Sequence, residues 1–209
     1  MTTHPTTTID FLRHGEPLGG QKYRGTLDDP LSPLGWKQMQ KTLDDHPAPW
    51  QRIISSPLIR CAQFAAKTAE ERSIPFELEP GFREMGFGLW EGKSKKELLE
   101  DKRYRIPVQN FWKNPLANTP PGGESIQAVH DRVAVAWQIM LEQYRGEHLL
   151  FIAHSGVIRV ALGMLLGIPL TNLSRLLVPY AALSRVRIEQ IGDTPIPRLI
   201  FFHADGLDP

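Results

Sequence analysis

The stretch Thr6-Thr7-Thr8-Ile9-Asp10-Phe11-Leu12-Arg13-His14-Gly15-Glu16 decides how the chain reads. Ile9 and Phe11 alternate with Thr8 and Asp10, which is the period of a strand. The strand runs straight into Arg13-His14-Gly15, so a cation and an imidazole stand at its carboxyl end. Two later segments repeat the arrangement. Residues 52–55, centred on Ile53 and Ile54, and the apolar run 149–153 read as strands, and they lead into Ser56-Pro57 and His154-Ser155-Gly156. Helical spacing follows each of the three. Leu34, Trp36, Met39 and Leu43 follow Ser32-Pro33, and Leu58, Ala62, Ala65, Ala66 and Ala69 follow Ser56-Pro57. Val160, Leu162 and Leu165 follow His154. Ser before Pro is a helix-start device, an N-cap followed by a preset φ. Strands alternating with helices predict a three-layer α/β/α sandwich with a mostly parallel central sheet. Such sheets bind ligands beyond the carboxyl ends of their strands. That rule selects His14, the turn 56–60 and His154.

The rest of the chain fits the same frame. A strand is predicted over 74–78, a Gly-rich irregular stretch over 84–92 and a short helix over 95–101. Residues 106–123 hold four prolines and read as a long loop, the kind that serves as a lid or binding segment. Ser125 caps a helix whose apolar stripe is Ile126, Val129, Val133, Trp137, Met140, Leu141 and Tyr144. Two strands, 184–191 and 199–203, follow. Residues 1–209 read as one domain with a lid-like excursion at about 93–123.

Composition narrows the function classes. Hydrophobic content of 41% in 209 residues suffices for a proper core. A net charge of +1 leaves no basic surplus for nucleic acid or an anionic membrane. The lone Cys61 can form no internal disulfide. Met1-Thr2-Thr3-His4-Pro5 lacks the basic start and apolar run of a signal peptide. Apolar stretches fall short of the ~18–20 residues that span a bilayer. The expectation is a cytoplasmic protein with a small-molecule partner. Oligomeric state stays open, a homodimer included.

Arg13 and Arg60 beside helix starts make a phosphate pocket, because guanidinium matches phosphate oxygens bidentately. His14 is a competent nucleophile only when neutral, and its ordinary pKa is about 6.5. Positive charge on Arg13, Arg60 and His154 favours the neutral form. Attack by His14 gives a phosphohistidine, which water then releases. His154 and the arginines neutralise the phosphoryl oxygens. Glu84, in Phe82-Arg83-Glu84-Met85-Gly86, is the candidate general acid. Glu16 either contacts substrate or orients its loop. Ser155 and Gly156 either offer N–H groups to phosphate or cap the helix. Arg24 and Tyr23 either line the substrate side or form an exposed pair. Trp90, Phe111 and Trp112 either stack on a ring-bearing leaving group or anchor the core. Cys61 reads as packing. His4, His46, His130 and His203 join no constellation. Two histidines with carboxylates could suggest zinc, but there is no HExxH and no paired-cysteine spacing.

These residues carry a family resemblance. Arg13-His14-Gly15-Glu16 resembles the signature of the histidine phosphatase superfamily, also called phosphoglycerate mutase-like. Further blocks follow in family order: 28–35 (Asp-Asp-Pro-Leu-Ser-Pro-Leu-Gly), 55–62 (Ser-Ser-Pro-Leu-Ile-Arg-Cys-Ala) and 83–92 (Arg-Glu-Met-Gly-Phe-Gly-Leu-Trp-Glu-Gly). Gly122-Gly123-Glu124-Ser125 and Ile152-Ala153-His154-Ser155-Gly156 complete the set. The resemblance implies His14 as nucleophile, Arg13, Arg60 and His154 as phosphate pocket, Glu84 as proton donor, and no metal or cofactor. Trp90-Glu91-Gly92 looks like the phosphatase branch, especially α-ribazole phosphatases, rather than the mutases. Pro17 departs from relatives that carry Thr or Ser there, and it cannot donate a hydrogen bond. Two rivals stand beside the phosphatase reading: a phosphoglycerate mutase, and a non-catalytic phosphate-binding module.

Overall fold

A computed structural model describes residues 5–192 and 194–204. His4 lies outside these residues, as does the side chain of His203. The strands are β1 (Thr7–Arg13), β2 (Arg52–Ser55), β3 (Phe76–Leu78), β4 (His148–Ala153), β5 (Leu183–Ile191) and β6 (Thr194–Ala204). The helices are α1 (Pro33–Asp45), α2 (Ile59–Arg72), α3 (Lys95–Glu100), α4 (Arg105–Lys113), α5 (Ile126–Gln143) and α6 (Ser155–Leu166). The sheet order is β3-β2-β4-β1-β5-β6. The first four strands run parallel, and β5 and β6 close the sheet antiparallel. This is the expected α/β sandwich with a mostly parallel sheet.

The period-two pattern sends alternate residues of β1 to opposite faces. Ile9 and Phe11 pack under α5 and α6, where Trp137 stacks on Phe11 with ring centroids 5.6 Å apart. Leu12 packs on the other face with Met39, Leu43, Phe64 and Ala65 of α1 and α2. The register places Arg13 opposite Ala153 on β4, and β4 in turn pairs Ile152 with Ser55 on β2. Three strand ends are thereby brought side by side.

Asp10, fully buried in β1, accepts from Trp50 Nε1 (2.7 Å), His148 Nε2 (3.1 Å), and Arg185 Nε (2.6 Å) and Nη2 (2.8 Å). Burial pushes its carboxyl up, but Arg185 and His148 outweigh burial and hold it below its ordinary range. A buried charge with all partners present is tolerated, and removing one member strands the others. Asp10→Ala is expected to destabilise the fold by about 3–5 kcal/mol in urea denaturation. An unchanged midpoint would refute this account of the cluster.

Two expectations need correction. Residues 106–123 are not a continuous loop, because α4 occupies Arg105–Lys113. Pro107 falls in its first turn, where no intrahelical N–H is needed, and Val108 and Phe111 bury its inner face. The last strand is also longer than 199–203. Pro195 and Pro197 hid its start, yet an edge strand tolerates proline. Among the described residues, no helix is long and apolar enough to cross a membrane.

Candidate active site

His14 leaves β1 at the centre of the convergence. Its backbone is pinned on both sides: its N–H donates to the Ala153 carbonyl at 3.0 Å, and its own carbonyl accepts from Ala181 N–H at 3.2 Å. The ring is pinned too, with Nδ1 2.8 Å from the Gly15 carbonyl. A carbonyl can only accept, so Nδ1 carries the proton and Nε2 keeps its lone pair. Burial, followed by the charges of Arg13 and Arg60, holds the imidazole well below its ordinary pKa of 6.5. Gly15 is required beneath it, since a Cβ there would collide with the Gly35 carbonyl at the start of α1.

Two guanidiniums flank this ring. Arg13 donates from Nη1 to the Val178 carbonyl at 2.7 Å, and burial pushes its pKa down to about 10. Arg60 is 1% exposed and donates to the Leu27 and Gly25 carbonyls at 2.8 and 3.3 Å. The buried Nε atoms of both arginines have no hydrogen-bond partner among the described residues. Buried donors without a partner are uncommon in folded proteins.

His154 is fully buried, and its ring centroid lies 5.1 Å from that of His14. Its Nε2 is 2.7 Å from the Ser56 hydroxyl, and Cys61 Sγ is 3.7 Å away. Burial comes first, then the charges of Arg60, His14 and Arg13, in holding it well below 6.5. Ser56 also accepts from Leu58 N–H at 3.3 Å. With its hydroxyl so engaged, α2 begins at Ile59 with no side-chain cap, rather than at Ser56-Pro57. Burial pushes the Cys61 thiol up, in keeping with a packing role.

Glu84 projects into the site from the segment after a 3-10 turn, Pro80–Phe82. Its carboxylate accepts from Met85 N–H at 3.0 Å and Gly156 N–H at 3.3 Å. A side chain on Gly156 would strike that carboxylate. Arg132 of α5 clamps the segment, donating to the carbonyls of Gly81 and Arg83 at 2.6 and 2.8 Å. Ser155 and Gly156 line the cavity at the first turn of α6.

The remaining candidates divide. Arg24 is buried and knits the loop 17–31, bonding Asp29, the Leu18 carbonyl and the Gly20 carbonyl at 3.0, 2.6 and 2.7 Å. The exposed-pair alternative for Arg24 and Tyr23 therefore falls, since both line the cavity. Glu16 turns the other way. It accepts from the Ser32 hydroxyl at 3.1 Å and lies outside the cavity wall, which matches loop orientation. Trp90 is a fully buried core anchor, whereas Phe111 and Trp112 reach the cavity. Glu91 joins two loops by accepting from Thr26 N–H and Phe87 N–H at 3.0 and 2.9 Å. His130 pairs with Asp131 on the surface, and His46 lies near Phe201.

The cavity has a volume of about 1210 Å³. It is lined by Arg13, His14, Arg60 and Glu84 and by the aromatic side chains of Tyr23, Phe87, Phe111 and Trp112. Trp112 Nε1 donates to the Tyr23 hydroxyl at 2.6 Å, tying α4 to the loop 17–31. Three residues escaped the sequence reading: Arg132, Arg159 and Tyr180. Arg159 falls in the early part of α6 and lines the cavity, so the helix-start argument used for Arg60 would have found it. Arg132 and Tyr180 give no local signal. Among the described residues, no three His, Cys, Asp or Glu side chains gather where they could hold a metal ion.

The family profile of the histidine phosphatase superfamily (branch 1) matches residues 9–195. The chain belongs to this superfamily. The adenosylcobalamin/alpha-ribazole phosphatase of Salmonella typhimurium (strain LT2) is 30% identical over 184 residues, covering 85% of this chain and 89% of that one. Bacillus stearothermophilus YhfR shares the fold with a TM-score of 0.82 at 24% identity, over 93% and 95% of the two chains. A mycobacterial glucosyl-3-phosphoglycerate phosphatase, solved with VO3, superposes with a TM-score of 0.81 at 25% identity, over 95% and 99%. Superfamily and relatives together support a phosphatase.

The two depressed histidines of this histidine phosphatase have a thermodynamic consequence. Below pH 6.5 the unfolded chain binds protons at His14 and His154 that the fold excludes, so stability falls as pH falls. Both histidines act in the same direction in that window. Urea midpoints are expected to drop between pH 7.5 and pH 5.5, and to drop less in His154→Asn. Equal midpoints at the two pH values would contradict the assignment.

Proposed function

We propose that the chain hydrolyses phosphomonoesters through a phosphohistidine on Nε2 of His14. The observation that carries this reading is the 2.8 Å contact between His14 Nδ1 and the Gly15 carbonyl, which leaves Nε2 unprotonated. Nε2 attacks phosphorus, the bond from phosphorus to the leaving oxygen breaks, and Glu84 protonates that oxygen. Water then attacks the phosphohistidine, Glu84 takes its proton, and the P–N bond breaks. Arg13 and Arg60 hold the phosphoryl oxygens, while His154, fully buried, bonded to Ser56 and outside the cavity wall, backs the His14 ring. With charge neutralised by guanidiniums, the reaction proceeds without metal or organic cofactor.

For substrate we propose a phosphomonoester with a bulky ring-bearing leaving group, α-ribazole 5′-phosphate first. The aromatic side chains lining the cavity and the Salmonella relative support it. The same proposal carries a cytoplasmic setting, a lid role for 93–123, and no nucleic-acid or membrane partner. Phosphate release is measured from p-nitrophenyl phosphate, α-ribazole 5′-phosphate and the phosphoglycerates, with EDTA present. Turnover of the first two is expected. Isomerisation of phosphoglycerate without release would favour the mutase, and bound phosphate with no turnover would favour a binding module.

A further inference from the structure

We propose that Tyr180 is a positioning residue that holds Arg13 for phosphate by stacking on it. This rests on Arg13 being part of the phosphate pocket. The Tyr180 ring lies under the Arg13 guanidinium, with 4.1 Å from Cζ to the centroid, and its centroid is 5.7 Å from that of His14. The ring also forms part of the cavity wall.

The turn that presents Tyr180 is bound to the active strand. Arg13 Nη1 donates to the Val178 carbonyl at 2.7 Å, and Arg13 N–H donates to the Ala182 carbonyl at 3.0 Å. Ala181 N–H donates to the His14 carbonyl at 3.2 Å, while its own carbonyl accepts from Thr42 Oγ1 at 2.9 Å. Ala181 itself sits at φ 54°, a left-handed conformation that alanine adopts only under constraint. The surroundings over-determine this backbone, and what it delivers is the ring of the preceding residue, placed against the face of Arg13.

A face contact suits the task. Arg13 is repelled by Arg60 and Arg159 and attracted by Glu84. A carboxylate partner would occupy the edge of the guanidinium, where its N–H donors lie. A π face attracts the cation from above and takes up none of the in-plane donors, leaving those not bonded to the Val178 carbonyl for phosphate oxygens. The ring thus fixes the plane of the guanidinium without competing for its hydrogen bonds.

The test compares Tyr180→Phe, which keeps the π face, with Tyr180→Leu, which fills similar space without one. Inorganic phosphate is the probe, its dissociation constant measured by calorimetry, with thermal melting run alongside. Leu is expected to weaken phosphate about 3- to 30-fold, the range of a partly desolvated cation–π contact. Phe is expected to stay within about twofold of the parent. Leu binding phosphate as well as the parent would overturn the proposal. So would Phe losing as much as Leu, since the hydroxyl would then carry the effect. Repeating the pair in a His14→Ala background separates this from the catalytic reading. Phosphate affinity there still reports on Tyr180, whether or not His14 is the nucleophile.

Discussion

His14→Ala is expected to abolish phosphate release, by about 10⁴-fold or more, while leaving inorganic phosphate bound. Loss of a nucleophile costs on this scale because no other group can form the covalent intermediate. Here the substitute candidates are poorly placed. His154 is fully buried and bonded to Ser56, and Cys61 is buried with its thiol held protonated. The phosphate pocket itself survives the change. Arg13 and Arg60 are fixed through the carbonyls of Val178, Leu27 and Gly25, bonds that do not involve the His14 side chain. Steady-state release and phosphate affinity, measured on the same preparation, check both halves. Residual release within tenfold of the parent would remove His14 from the nucleophile's role.

Glu84→Gln should slow release by about 10²–10³-fold for alkyl phosphates and far less for p-nitrophenyl phosphate. A general acid matters most when the leaving oxygen is strongly basic, and p-nitrophenolate leaves without help. Gln keeps the shape and one acceptor for Met85 or Gly156 N–H, so the segment held by Arg132 should stay in place. The measurement is kcat across a series of leaving groups, whose dependence on basicity should steepen in the variant. An equal loss for all leaving groups would assign Glu84 to positioning rather than proton transfer.

Much of this was legible from local sequence. The alternation through Ile9 and Phe11, the apolar run into His154 and the capped helix at Ser125 each specify their element without help from distant residues. The site followed because a parallel sheet collects strand ends, which needs only the strand order to be right. What escaped depends on long-range packing. α4 was masked by Pro107, harmless in a first turn but read as a breaker. The start of β6 was masked by prolines that only an edge strand accommodates. Tyr180 is far from Arg13 along the chain, and the β1–β5 pairing with the turn before β5 brings the two together. The direction in which Glu16 turns depended on its contact with Ser32, which no pattern at residue 16 encodes.

The central claim is a phosphoryl group on His14, and rapid-quench trapping during turnover of p-nitrophenyl phosphate tests it most directly. The account predicts an acid-labile, base-stable phosphoenzyme, located by mass spectrometry on the peptide bearing His14 and absent from His14→Ala. An acid-stable, base-labile adduct, or a phosphohistidine on any other residue, would contradict it.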